Sequence, residues 1–142
     1  MRLLLRVLRG VLLTILSLVA GAIAWLAVAP PDLLRVGTGY AAKMVCSNHF
    51  LAGRDAEAVL ALDVQAPGHP LLKLVHVSVD EERKVVTSRM LGAFAPGRAA
   101  YREGLGCTSV PDSNVDAALA FSAPAPALTT ASDPASPWPE GK

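Results

Sequence analysis

Residues 10–29 read GVLLTILSLVAGAIAWLAVA, with Arg9 the last charge before them, and this run decides the architecture. At helical rise it extends roughly 30 Å, the thickness of a hydrocarbon core. A soluble helix of this length usually shows a polar stripe. Here the polar side chains are Thr14, Ser17 and the indole of Trp25, which lies near the far end, where aromatic side chains anchor at the membrane interface. Lipid contact is therefore expected through residues 10–29. Ser17 and Gly21, like Ala20 and Ala24, are four apart, a spacing that permits close helix pairing, but ordinary small residues in a single span are the favoured reading.

Arg2, Arg6 and Arg9 precede the run, whereas Asp32 and Arg35 follow it with one charge of each sign. The positive-inside rule keeps the N-terminus cytoplasmic and exports the rest. A cleaved signal peptide is the rival reading, since Ala27-Val28-Ala29 has the small-x-small form of a cleavage site. Against it, the apolar run exceeds the usual signal core, and cleavage after Ala29 would leave Pro30 at the new N-terminus. A retained anchor over residues 1–30 is the favoured reading.

Working outward, residues 31–110 read as a small α+β unit and 111–142 as a disordered Ala/Pro/Ser-rich linker or tail. Pro30-Pro31 stops the first helix, and Gly37-Thr38-Gly39 reads as flexible backbone before a helix from Tyr40 to Leu51. Gly53 ends that helix and Asp55 is a candidate N-cap for a second short one, carried by Ala56, Val59, Leu60 and Val64. The period then changes. Leu71, Val75, Val77 and Val79 alternate with His76, Ser78 and Asp80, the pattern of a half-buried strand. After a charged turn, Val86, Ser88 and Met90 oppose Val85, Thr87, Arg89 and Leu91, which predicts an antiparallel hairpin. A bend over residues 92–97 and a strand over 98–102 complete two helices and about three strands. Residues 117–121 have at most the makings of a transient helical turn.

The foldable middle is about 80 residues, a size at which a lone core is marginal and a cross-link matters. Cys46 and Cys107 flank most of it, and an oxidising compartment favours a disulfide between them. Two alternatives stay open: separate buried thiols, or a metal site in which His49, His69 or His76 joins the cysteines. The second Cys-x-x-Cys or His-x-x-x-His pair that makes a zinc signal specific is missing. His76 has no nucleophile at a diagnostic spacing and reads as a solvated strand residue. Asp80, Glu81 and Glu82 precede Arg83 and Lys84 and read as a hairpin turn rather than a calcium loop. Gly104-Leu105-Gly106 lacks the third glycine of a dinucleotide fingerprint. With a formal net charge of +1 and interspersed signs, no basic face for nucleic acid is evident. No cofactor or catalytic residue is assigned.

Several of these residues collect into a pattern: Gly39-Tyr40-Ala41-Ala42-Lys43, Cys46-Ser47, Phe50 and Gly53-Arg54-Asp55. Val77-Ser78-Val79-Asp80, Val86-Thr87-Ser88, Tyr101-Arg102 and Gly104-Leu105-Gly106-Cys107-Thr108 continue it. Over residues 37–110 the chain resembles the segment that precedes the catalytic domain in bacterial serine hydrolases of the class C β-lactamase and 6-aminohexanoate-oligomer hydrolase type. Pro137-Trp138-Pro139 resembles the join to that domain. Such enzymes use a serine with a lysine three residues later. That motif is absent here, because Phe50 follows Ser47 at that spacing, Glu81 follows Ser78 and Leu91 follows Ser88. The resemblance thus implies a non-catalytic leader portion, truncated or encoded apart from its catalytic half. It would be held as a single pass in a bacterial inner membrane, with the remainder periplasmic and a hydrolase domain as partner. A free-standing envelope scaffold that binds through an uncovered sheet is the alternative. Independent catalysis ranks last, because nucleophile, base and oxyanion site cannot all be named.

Overall fold

The computed structural model describes residues 2–122. The first helix, α1 (Arg2–Val28), contains a stretch, Leu4–Val28, long and apolar enough to cross a membrane. Residues 4–25 are all exposed, so nothing among the described residues buries this apolar surface. Its Thr14 hydroxyl donates back to the Gly10 carbonyl at 3.0 Å, which satisfies that hydroxyl within the helix. Proline at 30 and 31 then breaks the helix, because a ring nitrogen cannot donate to the preceding turn.

The second helix, α2 (Asp32–Ala52), starts directly after Pro31 and runs for 21 residues, straight through Gly37-Thr38-Gly39. The expected flexible joint is therefore continuous helix. The reason lies across the interface, where the helix backbone meets strand residue Gly97. A Cβ on Gly97 would sit 2.5 Å from the Gly39 nitrogen and the Thr38 carbonyl carbon, so glycine alone permits the approach. Thr38 is buried there, and its hydroxyl donates to the carbonyls of Leu34 (2.9 Å) and Arg35 (3.1 Å). The rest of the buried face is also small: Ala41, Ala42, Val45 and Cys46 recur at helical spacing.

At its end α2 stops as the sequence indicates, with Gly53 left-handed at φ 65°. Asp55 caps α3 (Ala56–Val59), its carboxylate accepting from the Ala58 N–H at 2.8 Å. The helix widens into a π turn (Leu60–Gln65), and Val59, Leu60 and Val64 add to the core. The Gln65 side chain then donates to the Val75 carbonyl at 3.0 Å, tying this arm to the sheet.

Four antiparallel strands follow in chain order: β1 (Val75–Asp80), β2 (Val85–Met90), β3 (Phe94–Arg102) and β4 (Gly106–Ser109). The first hairpin pairs Val77 with Ser88 and Val79 with Val86, as the alternation predicts. Three boundaries differ from expectation. Pro70–Leu74 forms a 3-10 turn, so β1 begins at Val75 rather than Leu71. Strand β3 already begins at Phe94, since the turn after Met90 is completed within Leu91 and Gly92 (φ 51° and 73°) and a register shift between Ser88 and Met90 absorbs the irregularity. Strand β4 is additional: Gly104 and Gly106, at φ 72° and 71°, turn the chain back so that Cys107 pairs with Tyr101.

Helix α2 covers one face of the sheet through Val75, Val86, Met90 and Ala99. On the other face Val85 and Ala100 pack with Val110 and Val115, the last from a short helix α4 (Val115–Ala120) capped by Asn114. Folded chain thus continues beyond residue 110, the expected start of the tail. The isolated turn is too short to persist by itself, and burial of Val115 with support from Ala118 and Leu119 holds it. The rest of the expected tail, residues 123–142, and with it Pro137-Trp138-Pro139, lies outside the described residues.

Two glycine substitutions separate close approach from helix propensity. Gly97→Ala is expected to destabilise the fold by about 1–3 kcal/mol, because backbone atoms must move. Gly39→Ala, whose new methyl meets nothing within 4 Å, is expected to be neutral or stabilising. Denaturant unfolding of the full chain in detergent, followed by backbone circular dichroism, checks both. Equal destabilisation by the two would contradict this account.

Candidate functional site

The two cysteines are brought together as a disulfide, with Cα atoms 6.1 Å apart and 61 residues of sequence separation. Cys46 is the last residue of the buried face of α2 and Cys107 lies on edge strand β4, 0% and 7% exposed. The bond fastens the helix to the strand that has fewest residues to hold it. Beside it the Lys43 ammonium donates to the Cys107 carbonyl, and Phe50 stacks on Tyr101 with ring centroids 5.6 Å apart. Cys46 is thus bonded to sulfur, while His49 is held by partners of its own. Among the described residues no three His, Cys, Asp or Glu side chains are grouped for a metal.

His49 has a different role that its spacing to Cys46 conceals. Its Nδ1 lies 2.8 Å from the Arg54 carbonyl and its Nε2 2.7 Å from a Glu81 carboxylate oxygen. Both partners are acceptors, and only the imidazolium can donate to both at once. Partial burial opposes the charged form, but the Arg54 carbonyl, Glu81 and the nearby Asp55 outweigh it and raise the pKa above the ordinary 6.5. The ion pair clips the end of α2 to the β1–β2 turn.

Ser88 and Asp80 have structural partners. Ser88 is fully buried and donates to the Thr38 carbonyl at 2.5 Å, binding β2 to α2. His76 is exposed on β1. Asp80 accepts from the Arg83 N–H at 2.9 Å, as a turn requires. Arg83 in turn pairs with Asp116 of α4, and Arg54 with Asp63.

Two hollows flank the start of α2, the first of them also walled by the end of α1, and sequence reasoning did not find them. One is a cleft of about 660 Å³, whose walls include Val28 of α1, Arg35 and Tyr40 of α2, Arg98 of β3 and Val110. The other is an apolar groove of about 190 Å³, bounded by Leu33, Leu34, Leu72 and Met90. Val36 and Tyr40 belong to both, so the hollows adjoin. No local motif announces them, because their residues come from separate elements.

Comparison with protein-family models, curated proteins and solved structures finds no match to this chain.

Two outcomes test the covalent and ionic clasps. Cys46→Ala and Cys107→Ala are each expected to cost up to about 4 kcal/mol by the loop-entropy argument and to raise protease sensitivity as much as the double variant does. Thiol labelling that found both cysteines free in the untreated, denatured chain would refute the bond. For His49, the folded pKa exceeds the unfolded value. Its stabilising contribution is therefore full below about pH 6.5 and is lost as pH rises through the folded pKa. In an NMR titration the imidazole should titrate at lower pH in Glu81→Gln than in the wild type. Identical titrations would show the clip to be inconsequential.

Proposed function

We propose that the chain is a membrane-anchored, non-catalytic module that positions the catalytic domain of a β-lactamase-like serine hydrolase outside the cytoplasmic membrane. The observation that carries this reading is the join between α1 and α2. Residues 29–31 alone separate a helix of bilayer length from the helix on which the whole core is built. A folded unit so closely tied has little freedom to swing, and whatever is attached to it is kept at a set height above the bilayer. Arg2, Arg6 and Arg9 favour export of everything after α1, and a disulfide suits the oxidising side. The nature of the attached domain comes from the sequence resemblance over residues 37–110. The burial of Ser88 against a backbone carbonyl agrees with a positioning role rather than a catalytic one.

A free-standing interaction protein is the second reading, favoured by β1. This strand forms one edge of the sheet, and among the described residues no strand lies on its outer side. Such an edge can accept an added strand from a partner.

A reporter that works only outside the cytoplasm, fused after Lys142, is expected to be active. Cytoplasmic activity would reverse the orientation. Full-length chain captured after mild detergent extraction should bring down a hydrolase carrying Ser-x-x-Lys. Stoichiometric recovery of an envelope protein without that motif would favour the second reading, and turnover of an ester or amide by the purified chain alone would overturn both.

A further inference from the structure

Where α1 ends, the chain has built a cationic cleft beside an apolar groove, and the pair has the two-part chemistry of a lipid. We propose that the cleft holds the phosphate of an anionic phospholipid from the extracytoplasmic leaflet, while the groove takes the start of its acyl portion. This rests on the reading that α1 crosses the membrane.

Position is the first argument. Val28 is both the last residue of the bilayer-length stretch and a wall of the cleft, so the cleft opens at the level of the lipid headgroups. The commonest molecules there are the lipids themselves.

Charge is the second. Arg35 and Arg98 line the cleft, and no Asp or Glu does. The ion pairs among the described residues engage His49, Arg54 and Arg83, leaving these two guanidiniums without a carboxylate. A guanidinium fork matches phosphate oxygens in geometry and remains charged at any physiological pH. Two such groups beside a low-dielectric bilayer attract an anion more strongly than they would in open water.

Shape is the third. Leu33 and Val36 are 67% and 68% exposed on the first turns of α2, a poor arrangement in water and a suitable one against acyl chains. Val36 and Tyr40 form the shared wall of cleft and groove, so one ligand can reach from cation to apolar surface without crossing solvent. A free phosphate would satisfy the arginines and leave the groove unused.

The test uses full-length chain in nanodiscs of mixed phosphatidylglycerol and phosphatidylcholine, with retained lipids identified by native mass spectrometry. Wild-type chain should retain phosphatidylglycerol in preference. Arg35→Gln with Arg98→Gln should reduce that retention about thirtyfold, the effect of two cationic contacts near a membrane surface. Arg83→Gln with Arg89→Gln removes the same charge away from the cleft and should leave the preference in place; Arg2, Arg6 and Arg9 are unchanged in both double variants, so their contribution cancels in the comparison. Equal loss in both double variants, or no preference in the wild type, overturns the proposal, and the wild-type measurement stands even if a variant does not fold. Displacement of the lipid by inorganic phosphate would reassign the cleft to free anions. Release of the chain from membranes by carbonate washing would instead defeat the anchor reading, an outcome distinct from a retained chain with no lipid preference.

Discussion

Everything in the folded unit depends on how closely α2 can lie on the sheet. The contact is made with small side chains, Ala41, Ala42, Val45 and Cys46, and at one point with no side chain at all, where Gly97 meets the backbone of Thr38 and Gly39. Ser88 exploits that closeness by donating to the Thr38 carbonyl from the facing strand. A core of valines and alanines buries little area per residue, so its stabilisation comes from contact density and from the cross-link. The Cys46–Cys107 bond therefore holds β4 in a way that four residues of ladder do not.

Much of this was legible in the amino-acid order. Val75, Val77 and Val79 announce a strand by alternation, and the pairing of Val79 with Val86 follows from a short charged turn between two β-rich runs. Asp55 and Gly53 mark helix ends through local chemistry that needs no tertiary partner. The misread places are those where distant packing overrides local preference. Glycines 37 and 39 speak against helix by propensity, yet the approach of Gly97 is what their neighbourhood serves. Strand β4 was hidden between glycines and too short to show a period, and α4 is held by Val85 and Ala100 from remote strands. The same division applies to the candidate site. With two cysteines in the chain, their pairing was readable. The association of Arg35 with Arg98, like the clip from His49 to Glu81, arises only once the chain is folded.

The functional proposal and the lipid proposal draw on the same end of the molecule. An anchor that merely tethered would tolerate a long flexible leash. Here the proline pair leads at once into α2, and the cleft lies between the end of α1 and the folded unit. A lipid seated there would brace the unit from the bilayer side, complementing the bond that closes it on the far side.

The disulfide also sets how the protein answers to force. If a domain attached beyond α4 is pulled away from the membrane, tension enters through α1 and α2 and reaches Cys46. From there the covalent path crosses directly to Cys107, bypassing 61 residues of sequence separation. Those residues, which include α3 and the first three strands, carry none of the load in series and cannot be reeled out. At the reach of an extended chain, the shortcut withholds about 200 Å of slack. While the bond is intact the module behaves as a short strap rather than a spring, and its reduction would turn the strap into a long, compliant tether.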